Sequence, residues 1–357
     1  MKPTEWLENL MMLNLRNLLL PLLIPFSFLY GLLIKFRNSL YNNGIFNSIK
    51  LDVPIISVGN ITLGGTGKTP MVIYIAKLLR KNGYTPGIIS RGYGRLSTGP
   101  LMVHDGNKIL TNATNAGDEP YLMAKELKNI PILVSNNRKI GAQQLLTNNN
   151  INVIILDDAF QHRKISRDLE IVMISSHDHQ HDYHIMPWGK LREPISSLNR
   201  ADCVIYTRTN NFQFPNVHNL FNQYLKNFFL TSIMKPTLMK IDNTGYQNVK
   251  RTEESVLAFC GVGNSLSFIQ NSQELGIHIK EKIFFKDHKE YDKKTLKSLY
   301  NKIKNNNYKA ILTTEKDMVK IPHSLFNDIR FYVIKIELVI KNENDMTNVI
   351  KSKLHLC

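Results

Sequence analysis

Cysteine is scarce in this chain: three among 357 residues, at Cys203, Cys260 and Cys357, with no C-x-x-C pair. That excludes a disulfide scaffold and a thiolate metal centre, and it suits a reducing, cytosolic-facing compartment. Acidic residues are also in deficit, Asp+Glu 29 against Lys+Arg 45 for a net charge of +16. Such an excess draws a protein to polyanions: nucleic acid, an anionic membrane or a phosphorylated substrate. No RNA- or DNA-binding pattern accompanies it, so no nucleic acid partner is expected. A secretory signal is missing too, because Glu5 and Glu8 spoil the positive n-region and no A-x-A-like cleavage site follows the apolar run. The rest is ordinary globular material, 43% hydrophobic and 21% charged, in a chain long enough for two domains.

The apolar run, Leu18 to Ile34, is uncharged and flanked by Arg16, Lys35 and Arg37. As a straight helix it extends about 26 Å, short of a hydrocarbon core of about 30 Å. Pro21 and Pro25 argue against a straight helix, since each removes a backbone donor and crowds the preceding turn. Trp6, Leu7, Leu10, Met11, Leu13 and Leu15 recur upstream at near-helical intervals. The expectation is therefore a helical hairpin or kinked helix seated in one leaflet, a monotopic anchor. The alternatives are a buried core helix and a true span.

After residue 50, short β-branched runs alternate with helical patterns, the signature of a parallel sheet in an α/β fold. The runs are 54–58, 87–90, 131–135, 153–156, 170–175 and 203–207, with helices expected over 71–82, 121–128 and 139–147. Asp105-Gly106 marks a hairpin turn. A second α/β series starts near Val256, with helices over 267–275 and 293–304. The expected organisation is an apolar helical segment (1–38), a phosphate-loop domain (39–230), a two-stranded connector (231–253) and a smaller C-terminal α/β domain (254–357).

The run from Ile55 to Pro70, IISVGNITLGGTGKTP, is a strand, a glycine-rich loop and a helix start. That context is what a P-loop requires. Thr62, Leu63, Gly64, Gly65, Thr66, Gly67, Lys68 and Thr69 form the candidate nucleotide cradle. The glycines let backbone N–H groups turn toward phosphate oxygens, and the helix N-terminus adds a positive end. Lys68 reaches for the β/γ-phosphates and Thr69 for Mg²⁺. Thr62 stands where the consensus has its first glycine.

Asp157 and Asp158 close the apolar strand VIIL, where a P-loop enzyme places its second magnesium-binding carboxylate; a capping role is the alternative. Asp118 opens a helix in GDEP, which by itself reads as an N-cap. Arg91, Arg95, Arg138 and Arg192 lie after strands or at helix starts, where converging guanidinium groups bind phosphates bidentately. Tyr93 suits stacking on a sugar or base, or loop packing. The stretch from His177 to His184 is rich in His and Asp but fails an H-x-H-x-D-H pattern at Tyr183.

With SRGYGR (90–95), GDEP (117–120), DDAFQH (157–162), GKLREP (189–194) and FKDH (285–288), the phosphate loop resembles the tetraacyldisaccharide 4'-kinases, which phosphorylate the lipid A precursor in Gram-negative bacteria. The resemblance covers nearly the whole chain, to the TTEKD turn at 313–317. It implies an ATP- and Mg²⁺-dependent kinase at the cytoplasmic face of the inner membrane. It implies Asp118 as general base with His288, Glu119 beside Thr69, Asp157 and Asp158 at the metal, and Arg138, Arg192 and Glu193 on the substrate. The implied partners are the tetraacyldisaccharide 1-phosphate and anionic lipids, with no obligate protein partner. Ala159 departs from the family's usual glycine, and Lys289 from its frequent second histidine. A GTPase or metallochaperone-type NTPase is the alternative, but N-K-x-D and D-x-x-G are not matched: the chain has T-E-K-D at 314–317 and Phe160 after Asp157-Asp158-Ala159.

Overall fold

The computed structural model describes residues 3–210, 221, 224, 228–242, 245–287, 289–322 and 329–354, with side chains for all of these except 3–20 and 148. Helix α1 (Pro3–Asn42) leads into β1 (Ile55–Asn60), α2 (Lys68–Lys81), β2 (Pro86–Ser90), β3 (Leu101–Asp105), α3 (Ala113–Ala116), α4 (Asp118–Glu126), β4 (Pro131–Val134), α5 (Arg138–Asn148), β5 (Val153–Asp157), β6 (Leu169–Ser175) and β7 (Cys203–Thr207). Next come β8 (Phe228–Asp242), β9 (Gly245–Asn248), β10 (Val256–Cys260), α6 (Ser265–Glu274), β11 (Ile279–Phe284), α7 (Lys293–Asn305), β12 (Ala310–Thr314), α8 (Glu315–Met318), β13 (Arg330–Ile340) and α9 (Glu343–Leu354).

The expected α/β fold with a predominantly parallel sheet is present. Strands run in the order β11-β10-β12-β13-β8-β7-β6-β1-β5-β2-β4-β3, with β9 on β8. Every residue of β1, β5, β6 and β7 is buried, as expected where helices cover both faces of a parallel sheet. β8 joins the two halves: residues 228–231 run parallel to β7, and residues 232–241 run antiparallel to β13. Pro236 sits between the end of β7 pairing at Thr231 and the start of β9 pairing at Met239, so its missing N–H is not needed on that side.

Two features differ from expectation, the hairpin form of α1 and the place of α9, and neither alternative reading of the apolar run is met. α1 is one continuous helix that contains both Pro21 and Pro25, not a hairpin, and it runs on to Asn42. Its second half is fastened to the body through Ser27, Tyr30, Arg37 and Asn38. Nor is it a core helix, because Leu22, Phe26, Phe28 and Phe36 are 64–69% exposed. Among the described residues no helix is long and apolar enough to cross a membrane. Finally, α9 returns from the C-terminal series to the first half: Met346, Ile350 and Leu354 share a core with Met71, Ile75 and Leu79 of α2.

Candidate active site

The loops after β1, β2, β4 and β5 leave the same edge of the sheet, since those strands are mutually parallel. This is the edge where open α/β sheets gather their ligand-binding loops. The phosphate loop ends at Gly67, whose φ of 89° is a left-handed value favouring glycine, and α2 begins at Lys68. A Cβ on Gly67 would also run into the Met234 side chain. Three side chains hold the loop's carbonyls: Asn60 donates to Thr62 O (2.7 Å), Arg208 to Gly65 O (3.0 Å) and Thr207 to Thr66 O (3.0 Å). None of these roles was visible in sequence, because each depends on which loop lies beside which.

Two members of the expected cradle do not offer a phosphate their amides. The Leu63 N–H donates to Lys190 O (2.8 Å) and the Thr66 N–H to Gly64 O (3.2 Å). Thr62 is buried and bridges to Leu191. The first turn of α2, with Lys68 and Thr69, retains the helix-start amides that have no intrahelical acceptor.

Asp158 is the hub. Lys68 Nζ stands 3.5 Å from its Oδ1, and one Arg192 nitrogen lies 3.0 and 3.1 Å from its two oxygens. Burial alone raises an acid's pKa, but Lys68 and Arg192 hold Asp158 below the ordinary carboxylate value. Its neighbour goes the other way: burial, then the Asp158 charge, push Asp157 up to about 6 against a hydrogen bond from Ser90 Oγ (2.7 Å). Arg138 is buried, donates to Ser135 O and Asp157 O, and is pulled down to about 10, chiefly by burial. Burial and then Arg138, Arg167, Lys164 and Arg91 depress His162 to about 4, a measure of how electropositive this edge is. Arg91 and Tyr93 are exposed in the loop after β2. Arg95 is spent on that loop, donating to Ser97 and Gly99.

Asp118 is the first residue of α4, after Gly117 at the cap position, so its carboxylate is not the N-cap. It pairs with Lys320 at 3.0 Å. Glu119 pairs with Lys316 at 2.9 Å, and Lys316 lies 3.6 Å from Asp287. The FKDH segment is thereby brought beside GDEP; His288 itself lies outside the described residues. Lys316 and Lys320 were missed as site residues, although the T-x-x-D spacing of TEKD signalled the turn that carries them. Thr314 caps α8, and the Asp317 carboxylate accepts from Thr314 Oγ1 (2.7 Å) and the Gly261 N–H (2.9 Å).

Glu193, expected on the substrate, is corrected by its surroundings. It is fully buried and accepts from Arg37 (2.9 Å), Asn38 (3.0 Å) and Arg200 (2.9 Å), so it fastens α1 to the body. Tyr30 adds a bond to Arg192 O (3.1 Å) and Ser27 one to Ile185 O (2.5 Å). The His-rich stretch is structural: His179 caps a short 3-10 helix (Gln180–Tyr183), and His184 stacks on Trp188.

No group of three or more His, Cys, Asp or Glu residues among the described ones forms a metal cage. Mg²⁺ seldom uses such a cage, taking one or two carboxylates plus substrate phosphates. Thr69, Asp157 and Asp158 are hard-oxygen donors that fit this demand, and the Glu119 charge is close enough to contribute to the raised Asp157 pKa.

A family model described as tetraacyldisaccharide-1-P 4'-kinase matches residues 19–355. The tetraacyldisaccharide 4'-kinase of Chlorobaculum parvum is 38% identical over 306 residues, 84% of each chain. That of Halothermothrix orenii is 35% identical over 348 residues, 90% of this chain and 89% of the relative. A solved structure described as the "apo" form of LpxK from Aquifex aeolicus in complex with ATP superposes with a TM-score of 0.75 at 32% identity, covering 95% of this chain and 99% of that one. Family model, relatives and superposed fold all point the same way over most of the chain, and this chain belongs to the tetraacyldisaccharide-1-P 4'-kinase family.

Proposed function

We propose that this protein transfers the γ-phosphoryl group of ATP to the 4'-hydroxyl of the tetraacyldisaccharide 1-phosphate precursor of lipid A, at the cytoplasmic face of the inner membrane. The observation that carries the reading is the convergence of Lys68 and Arg192 on Asp158 at the mouth of the phosphate loop. Two cations are held there by an internal counter-ion, ready to accept phosphate oxygens instead.

In this reaction the acceptor oxygen attacks the γ-phosphorus and the bond to the β–γ bridging oxygen breaks. The hydroxyl proton passes to Asp118, directly or through His288. Lys68 and Arg192 take up the charge that develops on the transferred group. Arg91 and Tyr93, exposed in the loop after β2, line the electropositive side for the remaining phosphates and the sugar, while Arg138, expected on the substrate, is buried against the Ser135 and Asp157 carbonyls and supplies its charge from behind them. When bound, Mg²⁺ supplies charge neutralisation on the β- and γ-phosphates. Thr69, Asp157 and Asp158 are the donors suited to hold it, with Glu119 nearby.

The exposed apolar side chains of α1, together with the net charge of +16, support a monotopic seat on anionic lipid. A guanine-reading GTPase is disfavoured by Asp317, which is fully buried and committed to Thr314 and Gly261. Incubation with Mg²⁺ and detergent-solubilised precursor tests the proposal: transfer is expected with ATP, weakly or not at all with GTP, and not without acceptor. Nucleotide hydrolysis indifferent to acceptor would support the GTPase alternative.

A further inference from the structure

The Lys320 ammonium lies in a place the phosphoryl-transfer scheme leaves unexplained. Its Nζ is 3.0 Å from Asp118 Oδ2 and also donates to the Lys289 carbonyl at 3.1 Å. One cation therefore spans α4 of the first half and the loop that follows β11 in the second. An ammonium has three donors, enough to hold both acceptors at once. The pair is largely withdrawn from water, with side chains 10% and 14% exposed, so it is screened less than a surface ion pair. Lys320 is itself fixed: its N–H donates to Asp317 O (3.0 Å), and Asp317 is tied to Gly261 and Thr314. Four residues earlier, Lys316 makes the parallel link from Glu119 to Asp287.

We infer that Lys320 is a positioning residue for phosphoryl transfer: it sets the rotation of the Asp118 carboxylate and holds the Lys289 backbone beside it. This rests on the reading of Asp118 as the group that receives or relays the acceptor's proton. Lys320 touches neither nucleotide nor acceptor in this scheme; it acts through Asp118. A carboxylate misplaced by about 1 Å loses on the order of 100-fold in rate, whereas ATP binding at the phosphate loop should be indifferent.

The test uses the full-length protein in detergent, with ATP, Mg²⁺ and the solubilised precursor. Lys320→Gln keeps a donor for the Lys289 carbonyl and removes the charge facing Asp118. Its kcat should fall roughly 10- to 100-fold while the ATP KM stays within about twofold of the wild-type value. Combined with Asp118→Asn it should lose little beyond Asp118→Asn alone, because both changes disable one unit. A wild-type kcat in Lys320→Gln, or losses that simply multiply in the double variant, overturn the inference. Full activity in Asp118→Asn instead overturns the reading of Asp118 on which it rests. Melting temperature and ATP binding report whether each variant is folded. If Lys320→Gln is not, Lys320→Arg decides. The longer planar fork keeps the charge but misses this pair of acceptors, so kcat should drop several-fold at unchanged ATP KM, and a wild-type kcat there sinks the proposal.

Discussion

Arg37 and Glu193 meet at 2.9 Å across the seam between α1 and the α/β body, and the residue beside Glu193 is Arg192, which holds Asp158. Consecutive residues of one loop thus face opposite duties: one pins the apolar helix, the next neutralises the hub of the phosphate site. A fully buried carboxylate with three donors is costly to disturb, because removing it strands Arg37, Asn38 and Arg200 together.

Glu193→Ala should therefore destabilise the protein by about 3 kcal/mol or more, read from denaturant or thermal unfolding in detergent. Arg37→Ala, at the more exposed end, should cost clearly less. Equal and small effects from both would mean that the pair does not fasten α1.

Asp157 makes stability depend on pH in a defined direction. Its folded pKa, about 6, lies above the ordinary 3.8, so the native state binds its proton more tightly than the unfolded chain does. Wild-type protein should lose stability relative to Asp157→Asn as pH rises from about 4 through 6 and keep that deficit above it, an effect on the order of 2–3 kcal/mol without nucleotide or metal. Unfolding curves of both proteins at pH 4 and pH 8 check this. A difference that is independent of pH would mean that Asp157 is not buried as an acid.

Lys68→Ala should remain folded and lose at least about 100-fold in kcat, the scale of removing a principal charge-stabilising group. Loss of Lys68 also leaves Asp158 with Arg192 alone, so the melting temperature should move little. Turnover close to wild type would rule out the phosphate-loop role.

Deleting residues 1–35 should move the protein from the membrane to the soluble fraction while ATP binding persists, since Arg37 and Asn38 still reach Glu193. High salt should release little of the full-length protein, because contact through Leu22, Phe26, Phe28 and Phe36 is apolar and not screened. Insolubility together with lost ATP binding would show that the apolar stretch belongs to the core.

The residues themselves were enough to specify the local elements: a strand, glycine loop and helix at 55–81, two aspartates at the end of VIIL, and two alternating α/β series. These are written in short-range period, capping and backbone freedom, which do not depend on distant parts of the chain. Tertiary structure decided the rest. Pro21 and Pro25 left a hairpin and a kinked helix both open, and the structure has one continuous helix whose second half is held to the body by Ser27, Tyr30, Arg37 and Asn38. That α9 packs beside α2 is a contact between segments far apart in the chain, which no local pattern carries. GKLREP drew attention to Arg192 and Glu193 together, though only the fold turns one toward Asp158 and buries the other under α1. Lys320 was one lysine among many until its ammonium was placed between Asp118 and Lys289. A long cationic side chain takes its role from the acceptors within its reach, and those are set by packing between elements far apart in sequence.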